Sequence, residues 1–261
     1  MNRLTKTKTG FTTLILAFIL ISSSTVFTKT LQAQDEDRGF LLSTTEFTIK
    51  PGHNNQFRQG VKAWKACYLE NEGNWKWNMW SRVNGEGNVY YLASTMGSWA
   101  EMDQRDESAM KCRDIGRDMI NPHVKSAERN MNRFMPAVSN TYPNTDTVLW
   151  VNYFRVNNFS EFNEIVKDVN NVIQSEEGKS RGFWYDVLGG AADVPHYFVA
   201  TPFANFAALD EERESVWKVY ERVEGEKKTE ETRDRFREAV ESNWSYILRN
   251  DVELSNPRTA E

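Results

Sequence analysis

The chain has 261 residues, of which 39% are hydrophobic and 26% are charged, and its formal net charge is −5. The first 33 residues hold four of the 32 basic residues and none of the 37 acidic ones, so the rest of the chain carries a net charge of −9. An acidic surface does not attract nucleic acid or an anionic membrane, and we therefore expect neither as a partner.

Residues 1–33 have the three-part pattern of a secretory signal peptide. A basic start is followed by an apolar run over 11–21 and by a polar stretch that ends in Leu31-Gln32-Ala33, a small-residue cleavage site. The alternative is an uncleaved membrane anchor, but the run has only about half of the roughly 20 residues that a spanning helix needs. The pattern predicts cleavage near Ala33 and a periplasmic or secreted bacterial protein.

The first half of the mature chain alternates between predicted strands and helices. Residues 46–50 alternate in polarity, which predicts a strand, and apolar residues at steps of three and four predict an amphipathic helix over 53–70. The further elements of this half are strands over 75–83 and 89–93, joined by an Asn84-Gly85 hairpin, and helices over 98–119 and 122–134.

The second half repeats this order. Residues 88–103 and 195–210 match at an offset of 107 residues, with pairs such as Tyr90/Tyr197 and Asp103/Asp210. The elements predicted in this half are strands over 148–156, 183–188 and 196–201, helices that begin at Ser160 and Asn205, a charged linker over 225–229 and a last helix over 236–248.

The duplicated order predicts the fold class. With a fourth strand, for which residues 138–142 are a weak candidate in the first half, each unit would be a ferredoxin-like split βαβ unit. A sheet with helices on one face leaves its other face bare, and two such units can cover each other. We therefore expect an α+β fold of two tandem ferredoxin-like α/β repeats, over 34–144 and 145–261, packed sheet to sheet as a pseudo-dimeric α/β barrel with extra helices.

The element order, the duplication and the phrases Lys50-Pro51-Gly52-His53, Trp64-Lys65 and Ser98-Trp99-Ala100-Glu101-Met102-Asp103 resemble the dimeric α/β-barrel superfamily in its tandem-repeat form. This superfamily includes small monooxygenases, haem-degrading and chlorite-dismutase-like proteins, and exported members of unknown function. The resemblance covers nearly all of the mature chain as a pattern, and the chain contains no catalytic motif of the family. It implies a cavity between the sheets but no particular reaction.

Two cysteines, Cys67 and Cys112, leave two alternatives open. An exported protein could oxidise them to a disulfide. The predicted fold instead places them at opposite ends of two antiparallel helices, beyond the roughly 7 Å between Cα atoms that a bridge allows. We therefore favour two buried free thiols.

The three histidines share no metal-ligand spacing, so we predict no metal site. His53 follows Pro-Gly at a helix start, and His123 lies on a polar segment, where a surface position is expected. His196 begins a predicted central strand at the place where the first repeat has Val89. An imidazole there could face the cavity as a base or ligand, and the alternative is a hydrogen-bonded histidine at a strand end.

Aromatic residues are concentrated on two matching predicted strands. Such rings could line a pocket for a planar ligand or stack on sugar rings, and the alternative is that they fill the barrel core. The predicted ligand-binding residues are Trp75, Trp77, Tyr90, Trp184, Tyr185 and His196, and the predicted catalytic pair is His196 with Arg82.

Three functions remain open at this point. The favoured one is an exported protein, monomer or homodimer, that binds a small molecule in an aromatic cavity, because no catalytic constellation is evident. The resemblance implies a second, a monooxygenase-like or haem-handling enzyme that uses His196 with Arg82 or a tyrosine and could take haem as its cofactor. The third is a structural module for self-association.

Overall fold

A computed structural model describes residues 39–141 and 147–257, and the predicted signal peptide lies outside them. Eight antiparallel strands of the described chain close into a barrel in the order β1-β3-β2-β8-β5-β7-β6-β4. The strands are β1 (Leu41–Ile49), β2 (Asn78–Arg82), β3 (Val89–Met96), β4 (Val124–Phe134), β5 (Val148–Val156), β6 (Phe183–Gly189), β7 (Tyr197–Phe203) and β8 (Val240–Asn250).

Helices lie between the strands in both halves. The α-helices are α1 (Asn54–Glu70), α2 (Glu107–Lys111), α3 (Arg113–Ile115), α4 (Phe159–Glu177), α5 (Val216–Glu224) and α6 (Glu226–Ala239). Within the described ranges, no helix is long and apolar enough to span a bilayer.

The two halves use their strands in the same way. Along the barrel the first half reads β4-β1-β3-β2 and the second half reads β8-β5-β7-β6. Strand β5 lies 107 residues after β1, the offset found in the sequence. Pairing of β2 with β8 and of β4 with β6 joins the two halves edge to edge, so one continuous sheet closes the expected barrel.

The prediction was wrong for the last strand of each half. Residues 122–134 were expected to be helical but contain β4, and the expected last helix over 236–248 ends at Ala239, where β8 begins. Of the candidate strand at 138–142, residue 138 ends a 3₁₀ turn, 139–141 lie in no strand, and 142 is outside the described residues. Residues 226–229 are the first turn of α6 rather than a linker. Strand β4 shows no apolar alternation because its inward face carries the polar side chains of Glu128, Asn130 and Asn132.

Cys67 and Cys112 form a disulfide, so the expectation of two free thiols was wrong. The expected single helix over 98–119 is broken into a 3₁₀ turn, α2, α3 and a π-helical turn. This break brings Cys112 beside the end of α1, and the two Cα atoms are 6.0 Å apart, within the range for a bridge.

Helices cover part of the outer face of the barrel in each half. Phe57 and Val61 of α1 pack with Tyr90 of β3, and Phe162 and Val166 of α4 occupy the corresponding position in the second half. Because side chains alternate between the two faces of a strand, this arrangement leaves the other set of side chains pointing into the barrel.

Candidate functional site

The barrel encloses a cavity of about 900 Å³, near the upper end of the range for small-molecule sites. Its described lining includes nine aromatic residues, contributed by strands from both halves and by the segments next to them. They are Phe40, Trp77, Trp80, Tyr91, Tyr153, Tyr185, Phe198, Trp244 and Tyr246. Such a lining favours a flat, largely apolar ligand.

Arg82 brings a positive charge to the cavity lining, where its side chain is only 4% exposed. Nε and Nη2 donate hydrogen bonds to the Glu86 carbonyl oxygen, at 3.2 and 2.9 Å. The guanidinium carbon lies 4.4 Å from the centre of the Tyr246 ring, and Nη1 lies 3.9 Å from Glu46 Oε1. These contacts hold Arg82 in place and partly balance the charge of Glu46.

Two phenols near Arg82 are kept protonated by their surroundings. Burial raises the pKa of Tyr91, and the neighbouring Tyr153 and Glu46 raise it further. Burial also raises the pKa of Tyr153, again with a contribution from Glu46. Both hydroxyls therefore stay neutral and can donate hydrogen bonds at any physiological pH.

Strands β1 and β4 form a polar wall of the cavity. Thr44 is paired with Asn130 and Glu46 with Glu128 across these strands, and all four residues line the cavity. Asn130 Oδ1 is buried and accepts no hydrogen bond from any described residue. This wall is therefore rich in hydrogen-bond acceptors.

Three of the residues predicted from the sequence line the cavity, namely Trp77, Arg82 and Tyr185. Trp77 is held there because its Nε1 donates to the Leu254 carbonyl oxygen at 2.8 Å. Trp75 does not line the cavity, and its Nε1 donates to Ser94 Oγ at 2.5 Å.

The other three predicted residues point toward the helices. Tyr90 donates from its hydroxyl to Asn54 Oδ1 at 2.7 Å, and Trp184 stacks on Phe154. His196 Nδ1 accepts from the Val156 backbone N–H at 3.0 Å, and its ring lies 4.8 Å from that of Phe159. His196 is therefore not among the described residues that line the cavity, and the structure does not bring it together with Arg82 there.

Sequence reasoning missed several cavity residues, including Glu46, Tyr91, Asn130, Tyr153, Trp244 and Tyr246. One signal was present, since Trp244, Tyr246 and Leu248 follow each other at the two-residue spacing of a strand face. No comparable pattern marks Asn130, because an inward polar side chain looks like a solvent-exposed one in the sequence.

The barrel lining offers a haem iron neither a histidine nor a cysteine among its described residues. Haem iron takes His, Cys or Tyr ligands, or Met together with His. The raised pKa values of Tyr91 and Tyr153 disfavour the phenolate form that would bind iron. His196 Nδ1 is already occupied by the Val156 backbone N–H, and its ring packs against Phe159.

No protein-family model matches this sequence, and no curated protein matches it either. Solved structures do match the fold. A protein from Lactobacillus acidophilus NCFM that is described as a monooxygenase is 12% identical, with a TM-score of 0.51 and coverage of 82% of this chain and 95% of that one. An anthrone oxidase-like protein is also 12% identical, with a TM-score of 0.50 and coverage of 83% and 93%.

Chlorite dismutase from Candidatus Nitrospira defluvii is 7% identical, with a TM-score of 0.51 and coverage of 83% of this chain and 93% of that one. Identities this low show a common fold and do not carry over an activity. The match to these solved structures agrees with the closed eight-stranded barrel and outer helices seen in this chain. The chain therefore has the fold of the dimeric α/β-barrel superfamily.

Proposed function

We propose that this protein binds a flat, mainly apolar small molecule inside the barrel. The observation that carries the proposal is the cavity of about 900 Å³ with nine aromatic residues in its described lining. A core filled only for stability would be closely packed, with few voids larger than a water molecule. A cavity of this size, with a few polar groups placed among apolar walls, is typical of small-molecule sites.

The proposal also covers how the barrel arose from two repeats and in which compartment the protein works. Each half would be one ferredoxin-like repeat, since each contributes four strands in the same order and β5 follows β1 at the repeat offset. The barrel is closed by strands of one chain, so a monomer would suffice for binding. Export is supported by the signal-peptide pattern and by the Cys67–Cys112 disulfide, a bond typical of oxidising compartments.

Titration with the neutral fluorophore N-phenyl-1-naphthylamine tests the proposal. The wild-type protein should give a saturable rise in fluorescence as the dye leaves water for the cavity. The Ala93→Trp variant should lose most of this rise because residue 93 lines the cavity. The matched control is Ala127→Trp, on the exposed outer face of β4, which should bind the dye as the wild type does. Unsaturable binding, or full binding by Ala93→Trp, would contradict the proposal.

A second candidate function is oxygenation of an aromatic substrate. It is supported by the fold neighbours described as monooxygenase and anthrone oxidase-like, and by the buried Arg82, Tyr91 and Tyr153 beside the cavity. Anthrone and molecular oxygen would give anthraquinone and water, with oxygen as the oxidant. Oxygen uptake with anthrone that is faster with wild type than with Tyr91→Phe would favour this function, and uptake equal to that of buffer would reject it.

A further inference from the structure

The charged residues of the described cavity lining are divided between the two ends of the barrel. Lys76 lies two residues before β2 and Arg82 ends this strand, so the two cations lie at opposite ends. Arg82 Nη1 lies 3.9 Å from Glu46 Oε1, and Glu128 is paired with Glu46 across β1 and β4. Asp193 lies at the same end, in the loop that follows β6, because β6 runs in the same direction as β2. The Arg82 end therefore has three carboxylates and one guanidinium, whereas the Lys76 end has an ammonium and no carboxylate among the described lining residues.

The ammonium group of Lys76 is not neutralised within the described chain. Its side chain is half-buried in the cavity lining and forms neither a hydrogen bond nor an ion pair with a described residue. A cation that loses part of its hydration without gaining a counter-charge is unfavourable in the empty protein. An anionic group on a bound molecule would supply the missing counter-charge and form a charge-assisted hydrogen bond.

Two asparagines add neutral donors at the same end of the cavity. Asn78 is two residues from Lys76, on the inward face that also carries Trp80 and Arg82, and Asn250 of β8 is paired with Trp80. Ser255 Oγ donates to Asn250 Oδ1 at 3.5 Å, which leaves the Asn250 amide nitrogen as a donor without a described partner. The buried unpaired atoms of the described side chains include Asn130 Oδ1 but none of these nitrogens, so the nitrogens are open to a molecule in the cavity.

The middle of the cavity separates the two charged ends with apolar side chains. Trp80 lies between Asn78 and Arg82 on the inward face of β2, and it packs in one cluster with Val151 and Leu248 from the two neighbouring strands β5 and β8. This part of the lining offers a bound ring apolar contact but no charge. The cavity is therefore graded from a basic end through an apolar middle to an acidic end.

We infer that the ligand is a flat aromatic acid, with its carboxylate at the Lys76 end and its ring in the apolar middle. Lys76 Nζ would provide the counter-charge, while the amide nitrogens of Asn78 and Asn250 donate hydrogen bonds to the carboxylate oxygens. The carboxylates at the Arg82 end would repel an acid that entered in the reverse orientation. This inference rests on the proposed function, since it specifies the chemistry and orientation of the molecule held in the same cavity.

A matched pair of probes separates the charge from the ring. 2-Naphthoate and 2-naphthamide have the same ring and nearly the same shape, but only the naphthoate is charged at neutral pH. We expect the wild type to bind 2-naphthoate about tenfold more tightly, as measured by isothermal titration calorimetry, with a smaller preference at high salt. The preference should fall to near unity in Lys76→Met, which keeps the side-chain length without the charge, and persist in Lys76→Arg. Lys167→Met is the control, since it removes the same charge from an exposed position on α4, and it should keep the full preference.

The outcomes distinguish this inference from the proposed function. If the fluorophore and both naphthalenes fail to bind the wild type, the proposed function itself fails. If the fluorophore binds but the acid and the amide bind equally, the cavity binds rings and the inference about the acid is overturned. Lys76→Met should still bind the fluorophore, which shows that its barrel is intact, and a preference for the acid that survives in this variant would also overturn the inference. A third probe, 2-(aminomethyl)naphthalene, should bind more weakly than the acid, and tighter binding would show that the acidic end selects the ligand instead.

Discussion

Gly190 lies directly over the side-chain amide of Asn130, so closely that a Cβ atom on residue 190 would come within 1.8 Å of Asn130 Oδ1. Gly190 belongs to the loop between β6 and β7. Later in the same loop, Asp193, Val194 and Pro195 line the cavity. The contact therefore joins the polar wall of β4 to a loop at one end of the barrel. Its consequence for stability can be measured without knowing the ligand.

The Gly190→Ala substitution should destabilise the protein by about 1–3 kcal/mol, because the new methyl group must displace the amide or the loop. The measurement is the free energy of unfolding from urea titration. Gly189→Ala is the matched control, since a Cβ at residue 189 meets no atom within 4 Å, and it should be nearly neutral. Adding Asn130→Ala to Gly190→Ala should recover part of the loss, and an unchanged loss would show that the clash lies elsewhere.

Removal of the Cys67–Cys112 disulfide should cost about 4 kcal/mol of unfolding free energy. The bond closes a loop of 45 residues, and the cross-link restricts the unfolded chain. Urea unfolding of the wild type with and without dithiothreitol measures the effect. The Cys67→Ala/Cys112→Ala double variant should resemble the reduced wild type and should not respond to reductant. A reductant effect in the double variant would point to another cause, since the chain has only these two cysteines.

The buried phenols predict a loss of stability in alkali. The folded-state pKa values of Tyr91 and Tyr153 are raised above the usual value of about 10. The folded state is therefore favoured while both phenols are neutral, fully so below about pH 10, and this contribution to the free energy of unfolding is lost as the pH rises beyond that value. Tyrosinate absorbance at 295 nm should show residues that ionise only as the protein unfolds. Tyr153→Phe should shift the alkaline unfolding midpoint upward, and a midpoint equal to that of the wild type would contradict this assignment.

The paired carboxylates predict a stabilising substitution. Glu46 and Glu128 are direct partners on β1 and β4, and like charges in such a pair are unfavourable. Glu128→Gln should therefore raise the unfolding free energy by about 0.2–1 kcal/mol at neutral pH and low salt, with a smaller gain at high salt. Glu241→Gln, exposed at the start of β8, serves as the control and should change stability less.

Much of the fold could be predicted from local sequence patterns. The helix over 53–70 is confirmed as α1, and the strand over 148–156 is confirmed as β5, because apolar spacing reports directly which face of such an element is buried. Strand β5 starts 107 residues after β1, which is the offset between the two matching segments in the sequence. The barrel itself was expected, since each predicted sheet had a bare face that needed a cover.

The candidate site was less accessible to sequence reasoning. Of the residues predicted from the sequence, Trp77, Arg82 and Tyr185 lie in the cavity lining, whereas Tyr90, Trp184 and His196 face the helices. An aromatic residue is equally suited to either face of a sheet that is covered on both sides. Hydrophobicity alone therefore cannot tell a cavity-facing ring from a helix-facing one.

The sequence by itself determined the duplicated order of elements, the apolar faces of α1 and α4, and the high aromatic content of the chain. Only the tertiary structure decided that β4 and β8 are strands, that Cys67 reaches Cys112, and that Asn130 and Glu128 face a cavity. The physical reason is that these features depend on partners far away in the chain. A polar residue on a strand reads as surface until the strands on the other side of the barrel place it inside.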